Sequence, residues 1–421
     1  MKKIIPALKG TRDFYPEDKF KHNWLLDQIR NVSESFGYQE YEAPYLEKLE
    51  LYAAKSGEEL VKKQAFVFTD KGGEEITLRP ELTPSLARMV AQQQEELSYP
   101  LRWWAFGPIW RYERPGKGRS REFFQWNIDM IGVDSPEADA ELIAVAANLF
   151  KDLGLKPEQV KIRLNDRQLI YQKLQEIGVE VTRTADVLHL IDRRDKLSSE
   201  AWVQYALEQG FLNTIISRLE ALLNNYDLWK DSPRLVRCMQ ALERIGVREF
   251  IQYDPKVIRG LDYYTGVVFE AFDVDGGRAI LGGGHYGNLV ADVGGDSLPG
   301  VGFAMGDVMF PIVLEKYGLL PTQIPAPAEV LVTVFDEETL LESIELAELL
   351  RGSGLRVICY PESVKLPKQL KFADKLGIRL AVILGPDEIN TCKAVLKDLK
   401  TTEQVSVAIA ELDQAIHQLL A

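Results

Sequence analysis

Cysteine is scarce in this chain. Cys238, Cys359 and Cys392 are the only three, odd in number, far apart and in no C-x-x-C arrangement. This argues against a disulfide framework and against a thiolate-held zinc. Histidine is nearly as rare, and no two of His22, His189, His285 and His417 share a spacing such as H-E-x-x-H, so no protein-held metal is expected. No apolar run approaches the roughly 20 residues needed to cross a bilayer, and no membrane partner is expected. The first ten residues carry charge but no apolar stretch before a small-residue cleavage site, so a secretory signal is not expected and a reducing cytoplasm is the natural location. Internal repeats and low-complexity tracts are also missing.

What remains is the composition of an ordinary globular protein: 421 residues, 46% hydrophobic, 27% charged and 10% aromatic. At roughly 150 residues per domain this length suggests two or three domains with full cores. Fifty Lys and Arg against 63 Asp and Glu leave a net charge of −13. Any nucleic acid must therefore be held by a local basic patch against an opposing global field.

One composition break stands out, residues 317–328, where Pro321, Pro325 and Pro327 sit among Gly, Thr and Ala without apolar periodicity. It reads as an interdomain linker, its core at 321–328. Beyond it, short β-rich runs (330–335, 355–360, 379–384) alternate with helical stretches such as 339–350, which predicts an α/β domain over 329–421 with a largely parallel sheet. Before it, over 1–320, strand-like runs (101–106, 123–131, 160–164, 265–272) are joined by long irregular connections, which favours an α+β domain on an antiparallel sheet. Between them, at about 167–246, apolar residues recur at i, i+3, i+4, and a helical insertion is expected.

Four runs carry chemistry. The richest is GPIWRYERPGKGRSREFFQWNIDMIG, 107–132. A strand ending in Arg111, Glu113 and Arg114 leads through a loop with Lys117, Arg119 and Arg121 into a strand whose alternation places Phe123, Gln125, Asn127 and Asp129 on one face. A solvated hairpin would also carry charges. Arg beside Glu, Gln and Asp, however, supplies both phosphate clamps and acceptors for an amine. The second run is RGLDYYTGVVFE (259–270), whose tyrosines would otherwise be packing. The third is LGGGHYGNLV (281–290), read as a glycine-rich loop that lets backbone approach a ligand. The fourth is TLRPELTPSLAR (77–88), where Glu81 and Thr83 stand near a helix start and capping is the competing reading.

Together these runs resemble those of the histidyl-tRNA synthetases, class II aminoacyl-tRNA synthetases, and the likeness spans essentially the whole chain. It begins with KGTRDFYPED (9–18) and with GYQEYEAPYLE (37–47), which resembles class II motif 1 with its dimer-interface proline at Pro44. FGPIWRYERPGKGRSREFFQ (106–125) resembles motif 2, TLRPE (77–81) the amino-acid-binding loop, and RGLDYYTG (259–266) a signature confined to the histidine-specific members. KLPKQLKFADKLGIRLAVILG (365–385) resembles part of the anticodon-binding domain.

The resemblance implies a class II antiparallel-sheet catalytic domain with a helical insertion and a C-terminal α/β anticodon-binding domain. Histidine and ATP, with Mg2+, would give histidyl-adenylate, and the histidyl group would pass to the 3′ end of tRNA(His). Homodimerisation is implied as well. Attack by a carboxylate already ionised at pH 7 needs no strong base, so positioning and arginine charge do the work. By likeness, Arg111 and Arg259 would hold the α-phosphate and the substrate carboxylate from two sides. Phe123 would stack on adenine, and Glu113 and Arg119 would contact ATP. Glu81, Thr83 and Gln125 would bind the α-amino group, and Asp129, Tyr263, Tyr264 and Tyr286 would line the histidine site. Lys365, Lys368, Lys371 and Lys375, mostly at helical spacing and flanked by Arg356 and Arg379, would meet tRNA.

Two departures stand against the family pattern. The common G-G-R-Y-D run reads Gly283, Gly284, His285, Tyr286, Gly287. Motif 3, which usually ends in G-x-E-R with its Arg on the ATP base, has Met309 at that place. A rival reading is a non-catalytic relative resembling the synthetase-like regulatory subunit of ATP phosphoribosyltransferase. The complete signature at Arg259 and the basic C-terminal domain favour the enzyme. Arg259→Ala is then expected to slow adenylate formation by about two orders of magnitude, roughly 3 kcal/mol of lost charge stabilisation. Near-normal single-turnover formation would reject that role.

Overall fold

The structure, a computed structural model, describes residues 4–53, 63–116, 118–258 and 263–421. The chain divides into two compact units, Met1–Leu320 and Pro321–Ala421. In the first, eight strands form one sheet in the order Gln39–Glu40, Leu101–Trp110, Glu122–Ile131, Gly300–Gly306, Leu281–Tyr286, Tyr264–Asp273, Val160–Asp166, Ile251–Tyr253. Pairing is antiparallel throughout the middle and parallel only at the outermost pair on each side. The antiparallel expectation for this domain therefore holds.

Period-two alternation divides the central strand Glu122–Ile131 between two environments. Trp126, Ile128 and Met130 enter the main core, where the helix Pro136–Asp152 lies almost wholly buried through its alanines, Leu142, Ile143 and Phe150. That helix starts where its sequence says it should. Ser135 accepts a hydrogen bond from the Ala138 N–H at 3.1 Å, Pro136 occupies the first turn, and Glu137 and Asp139 complement the dipole. Five further α-helices, from Arg167–Glu176 to Pro233–Ile245, with short 3-10 turns between them, fill the segment between Val160–Asp166 and Ile251–Tyr253.

Two sequence expectations change in this unit. The first of the two strands ends at Trp110, so Arg111 and Glu113 sit just beyond the ladder, although one rung continues as the Arg111 N–H donates to the Arg121 carbonyl at 2.9 Å. The supposed glycine-rich loop is the strand Leu281–Tyr286, paired on both sides. Its glycines serve the sheet itself: a Cβ at Gly283 would lie 2.5 Å from the Gly302 carbonyl oxygen and 2.7 Å from the Phe269 ring.

The second unit holds a five-stranded sheet, ordered Val357–Cys359, Val330–Val332, Leu380–Ile383, Lys393–Asp398, Gln404–Ala408. Only the first three strands run parallel, so the sheet is mixed rather than largely parallel. The antiparallel hairpin 393–408 escaped the sequence because its outer strand is short and largely exposed. Residues 317–328 are also less free than their composition suggests. Tyr317, Leu319 and Leu320 pack on the first core, while Ala328 is buried with Leu331 and Val334 in the second unit. Among the described residues no helix is long and apolar enough to cross a membrane.

Leu380 is fully buried among Val330, Val382 and Leu396. Leu380→Ala should cost about 3 kcal/mol, and hydrogen exchange should quicken at 330–332 and 393–398 but not at 122–131. Quickening in both units would mean that the two cores unfold as one.

Candidate functional site

On the face of the large sheet opposite the Pro136–Asp152 helix lies a cavity of about 810 Å3. Its floor is a polar row on one strand: Gln125, Asn127 and Asp129. Five of the six residues paired with that row are small. Gln125 lies between Gly107 and Gly306, Asn127 between Ala105 and Ala304, and Asp129 between Trp103 and Gly302. At Gln125 and Asn127 the row thus stands in a trench with little lateral packing. The spacing is tightest at Asp129, whose Oδ1 occupies the place that a Cβ on Gly302 would need.

Asp129 is 3% exposed. Its Oδ1 accepts from the Tyr286 hydroxyl at 2.9 Å, and its Oδ2 has no partner among the described residues. Burial pushes its pKa up to about 7 from 3.8, against the opposing pull of the Tyr286 bond. Asn127 is equally buried, and its Oδ1 also lacks a partner among the described residues. A buried acceptor without a donor costs about 1–3 kcal/mol. Two of them side by side on a cavity floor form a surface built for a ligand carrying N–H groups.

Tyr263, Tyr264 and Tyr286 stand at the same end. Tyr263 meets Tyr264 and Tyr286 edge-on, with ring centroids 5.0 and 6.1 Å apart. Burial holds all three hydroxyls well above their ordinary pKa, so they act as neutral donors. The Tyr263 hydroxyl lies 3.5 Å from Glu81 Oε2, and Glu81 is 3% exposed. Thr83 opens the helix Thr83–Gln92, whose cap residue, Leu82, makes no side-chain capping bond. Capping therefore does not account for Glu81 or Thr83.

Toward solvent the lining becomes cationic. Arg111 is oriented by its Nε donating to the Pro80 carbonyl at 2.8 Å, and its guanidinium sits 5.5 Å from the Phe123 ring centroid. Glu113 and Arg119 pair at 2.8 Å across the loop. The structure thus brings Glu81, Thr83, Arg111, Glu113, Arg119, Gln125, Asp129, Tyr263, Tyr264 and Tyr286 to one cavity. Phe123 is not among its lining residues and reaches it only through Arg111. Arg259 lies outside the described residues.

Several lining groups were not singled out from sequence: Gln64, Asn127, Arg167, His189, Asp192 and Glu270. The alternation that placed Gln125 and Asp129 on one face also placed Asn127 there, so its signal was present. His189 and Asp192 come from the insertion helix Thr184–Asp192, where nothing local marks them. Arg167 donates to the Tyr264 carbonyl at 2.7 Å and to the Ile258 carbonyl at 3.1 Å. His285, next to Tyr286, faces the other side of the sheet and binds Asp139 at 3.2 Å, with Arg234 also 3.2 Å away. It serves the core side and is not among the cavity's lining residues.

In the second unit Lys365, Lys368, Lys371 and Lys375 are all exposed, on or at the start of the helix Leu366–Lys375. The flanking arginines are partly committed elsewhere, Arg379 to Asp398 at 3.0 Å and Arg356 to Glu329 at 3.6 Å. Lys368 approaches Glu362 at 3.6 Å. The Lys368 pair is exposed on both sides and contributes little, so the helix keeps a basic face.

Residues 10–307 match the family model for histidyl-tRNA synthetase, and residues 329–419 match the anticodon binding domain. Among named relatives, the chain is 38% identical to a histidine–tRNA ligase of Opitutus terrae over 418 residues, 95% of each chain. It is 35% identical to that of Leptospira biflexa over 426 residues, 98% of this chain and 97% of the other. The crystal structure of histidyl-tRNA synthetase from Nostoc sp. PCC 7120 superposes with a TM-score of 0.82 at 27% identity, covering 99% of this chain and all of that one.

The raised pKa of Asp129 has a stability consequence with a definite sign. The folded state holds this proton more tightly than the unfolded state, so the stabilisation is complete below about pH 4 and is lost as pH rises through about 7. The unfolding free energy of Asp129→Asn should therefore gain on the wild type between pH 4 and 7 and hold level above. A constant difference across that window would mean that the carboxyl is solvated.

Proposed function

The chain belongs to the histidyl-tRNA synthetase family, and from that membership we propose how its own residues divide the work of the reaction. The activity is histidine–tRNA ligation: histidine is activated with ATP and then transferred to tRNA. The observation that carries the assignment of roles is the polar row in its trench, buried at Asp129 and bordered by arginine toward solvent.

In this reading the imidazole lies at the buried end. An N–H of the ring donates to Asp129, whose free oxygen is the acceptor left over after Tyr286, and Tyr264 and Tyr263 close around the ring. An amino acid without that N–H leaves the acceptor unpaired, and that cost supplies selectivity. Glu81, Thr83 and Gln125 take the α-ammonium group, with Asn127 as an additional polar contact between Gln125 and Asp129. Arg111 holds the carboxylate against the α-phosphate, and Arg259 completes the clamp from the segment outside the described residues.

The carboxylate oxygen attacks the α-phosphorus, the bond from that phosphorus to the bridging oxygen of pyrophosphate breaks, and pyrophosphate leaves with the electron pair. No protein base is needed, since the nucleophile is already ionised. Arg111 and Arg119 meet charge that grows on the phosphates, while Glu113 orients Arg119. Phe123 stacks on adenine after a modest rearrangement, its ring now lying against Arg111. Mg2+ enters as part of the nucleotide substrate, suited to phosphate oxygens and water. In the second step the terminal ribose hydroxyl of tRNA(His) attacks the adenylate carbonyl carbon, the bond from that carbon to the phosphate oxygen breaks, and AMP leaves with the electron pair, a phosphate oxygen taking the hydroxyl proton.

The exposed face of Lys365, Lys368, Lys371 and Lys375 is the tRNA contact of the second unit. A homodimer fits the exposed apolar residues around the proline of motif 1, Tyr45 and Leu46 with Val67 and Phe68. A cytoplasmic location fits the free cysteines. Domains at 1–320 and 329–421, joined through 321–328 and with an insertion at about 167–246, complete the reading.

ATP–pyrophosphate exchange with Mg2+ and each of the twenty amino acids tests it. Exchange with histidine alone is expected, with Asp129→Ala lowering kcat/KM for histidine. Histidine binding without exchange would instead favour the regulatory relative, and unchanged histidine kinetics in the variant would remove Asp129 from the site.

A further inference from the structure

Arg12 and Asp307 are 295 residues apart in sequence and meet beside the loop that carries Glu113 and Arg119. The Arg12 guanidinium donates to both carboxylate oxygens, at 3.0 and 2.7 Å. The Asp307 side chain is 2% exposed. The same carboxylate accepts from the Phe124 N–H at 2.8 Å, and the Asp307 N–H donates back to the Phe124 carbonyl at 2.8 Å. His22 Nε2 lies 4.0 Å away, but burial, reinforced by Lys19, lowers its pKa to about 4. At neutral pH the cation paired with Asp307 is therefore Arg12.

Two residues before Arg12, the Gly10 carbonyl accepts three hydrogen bonds from the returning limb of the loop: from the Ser120 hydroxyl at 2.5 Å and from the N–H groups of Arg121 at 2.7 Å and Glu122 at 3.2 Å. The fit leaves no room for a side chain, since a Cβ at Gly10 would lie 2.8 Å from Arg121 and 2.9 Å from Pro115, at a φ of +90°. Residues 10–12 thus form a strap, tied at one end to the loop and at the other to the end of the Gly300–Gly306 strand. The loop needs such an anchor. Between Trp110 and Glu122 its own pairing, among the described residues, is the Arg111–Arg121 rung and one bridge from Gly116 to Arg119. On its other side Gly118 rests directly on the Met309 thioether, two residues beyond Asp307.

We propose that Arg12 is a positioning residue for ATP: by binding Asp307 it holds Gly10 against Ser120–Glu122 and so sets the loop that presents Glu113 and Arg119 to the nucleotide. The pair lies at the altered third motif, where Asp307 and Met309 both buttress the loop. The inference rests on the reading that this loop binds ATP.

Pyrophosphate exchange by the full chain separates the two claims. Arg12→Met should raise the KM for ATP at least tenfold while the KM for histidine stays within twofold, and Arg12→Lys should recover most of the loss. If Arg12→Met does not fold, Asp307→Asn, which keeps an acceptor for Phe124 and removes the charge, should give the same split. Arg119→Ala is the control and should itself raise the KM for ATP. A normal ATP KM in the Arg12 or Asp307 variant beside a raised one in Arg119→Ala overturns the positioning role, as does an equal rise for both substrates. A normal ATP KM in Arg119→Ala overturns the assignment of the loop to ATP, and the strap's role falls with it.

Discussion

A single strand has to satisfy two environments, and the rest of the first unit is arranged around that demand. Along Glu122–Ile131 every second residue joins a close-packed core, and the residues between them carry an amide, an amide and a carboxylate. The core half fixes the strand, so the polar half is presented without freedom to retreat to water. The flanking strands then keep their side chains small where they border the row, Trp103 beside Asp129 excepted. Chemistry and packing are here two faces of one pleat.

The arrangement has a thermodynamic cost, concentrated at Asp129 and Asn127, where buried oxygens lack donors among the described residues. Such groups are normally satisfied in native proteins, and exceptions mark places where a ligand or strain supplies the reason. Alanine-rich burial in the Pro136–Asp152 helix and the aromatic packing of Trp126 on Phe303, 4.7 Å between centroids, offset that cost from the opposite side of the sheet. Buried Arg79 makes a comparable tie near the cavity, donating to Glu42 at 2.6 Å and to the carbonyls of Ala43 and Pro108 at 2.8 and 2.9 Å. Its place in the TLRPE run is thus structural, while Glu81, two residues on, lines the cavity.

Much of this was legible in the sequence because it is local. Alternation put Gln125, Asn127 and Asp129 on one face, and composition marked the change of pattern around residue 320. What was not legible depends on partners distant in the chain. The glycines at 283 and 284 looked like a loop because their need is set by Phe269, Gly302 and Phe303 for the first and by Tyr264, Val267 and Val268 for the second, which no local window contains. His189 and Asp192 reach the cavity through the packing of an insertion whose periodicity reports only its own buried stripe. The hairpin 393–408 has too little buried surface on its outer strand to print a pattern.

The bond set around His285 also constrains which neighbouring sequences are accessible to mutation. His285, Asp139, Asp134 and Arg234 form one charge group, with Arg234 already contacting both carboxylates at 2.6 Å. Arg234 uses one oxygen of each carboxylate, Asp134 Oδ1 and Asp139 Oδ2, and His285 stands against Asp139 Oδ1. An arginine at position 285 would bring a second guanidinium to the same two carboxylates, next to the first. The effect of a substitution at 285 is therefore set by what stands at 234, and the two positions are coupled in mutation.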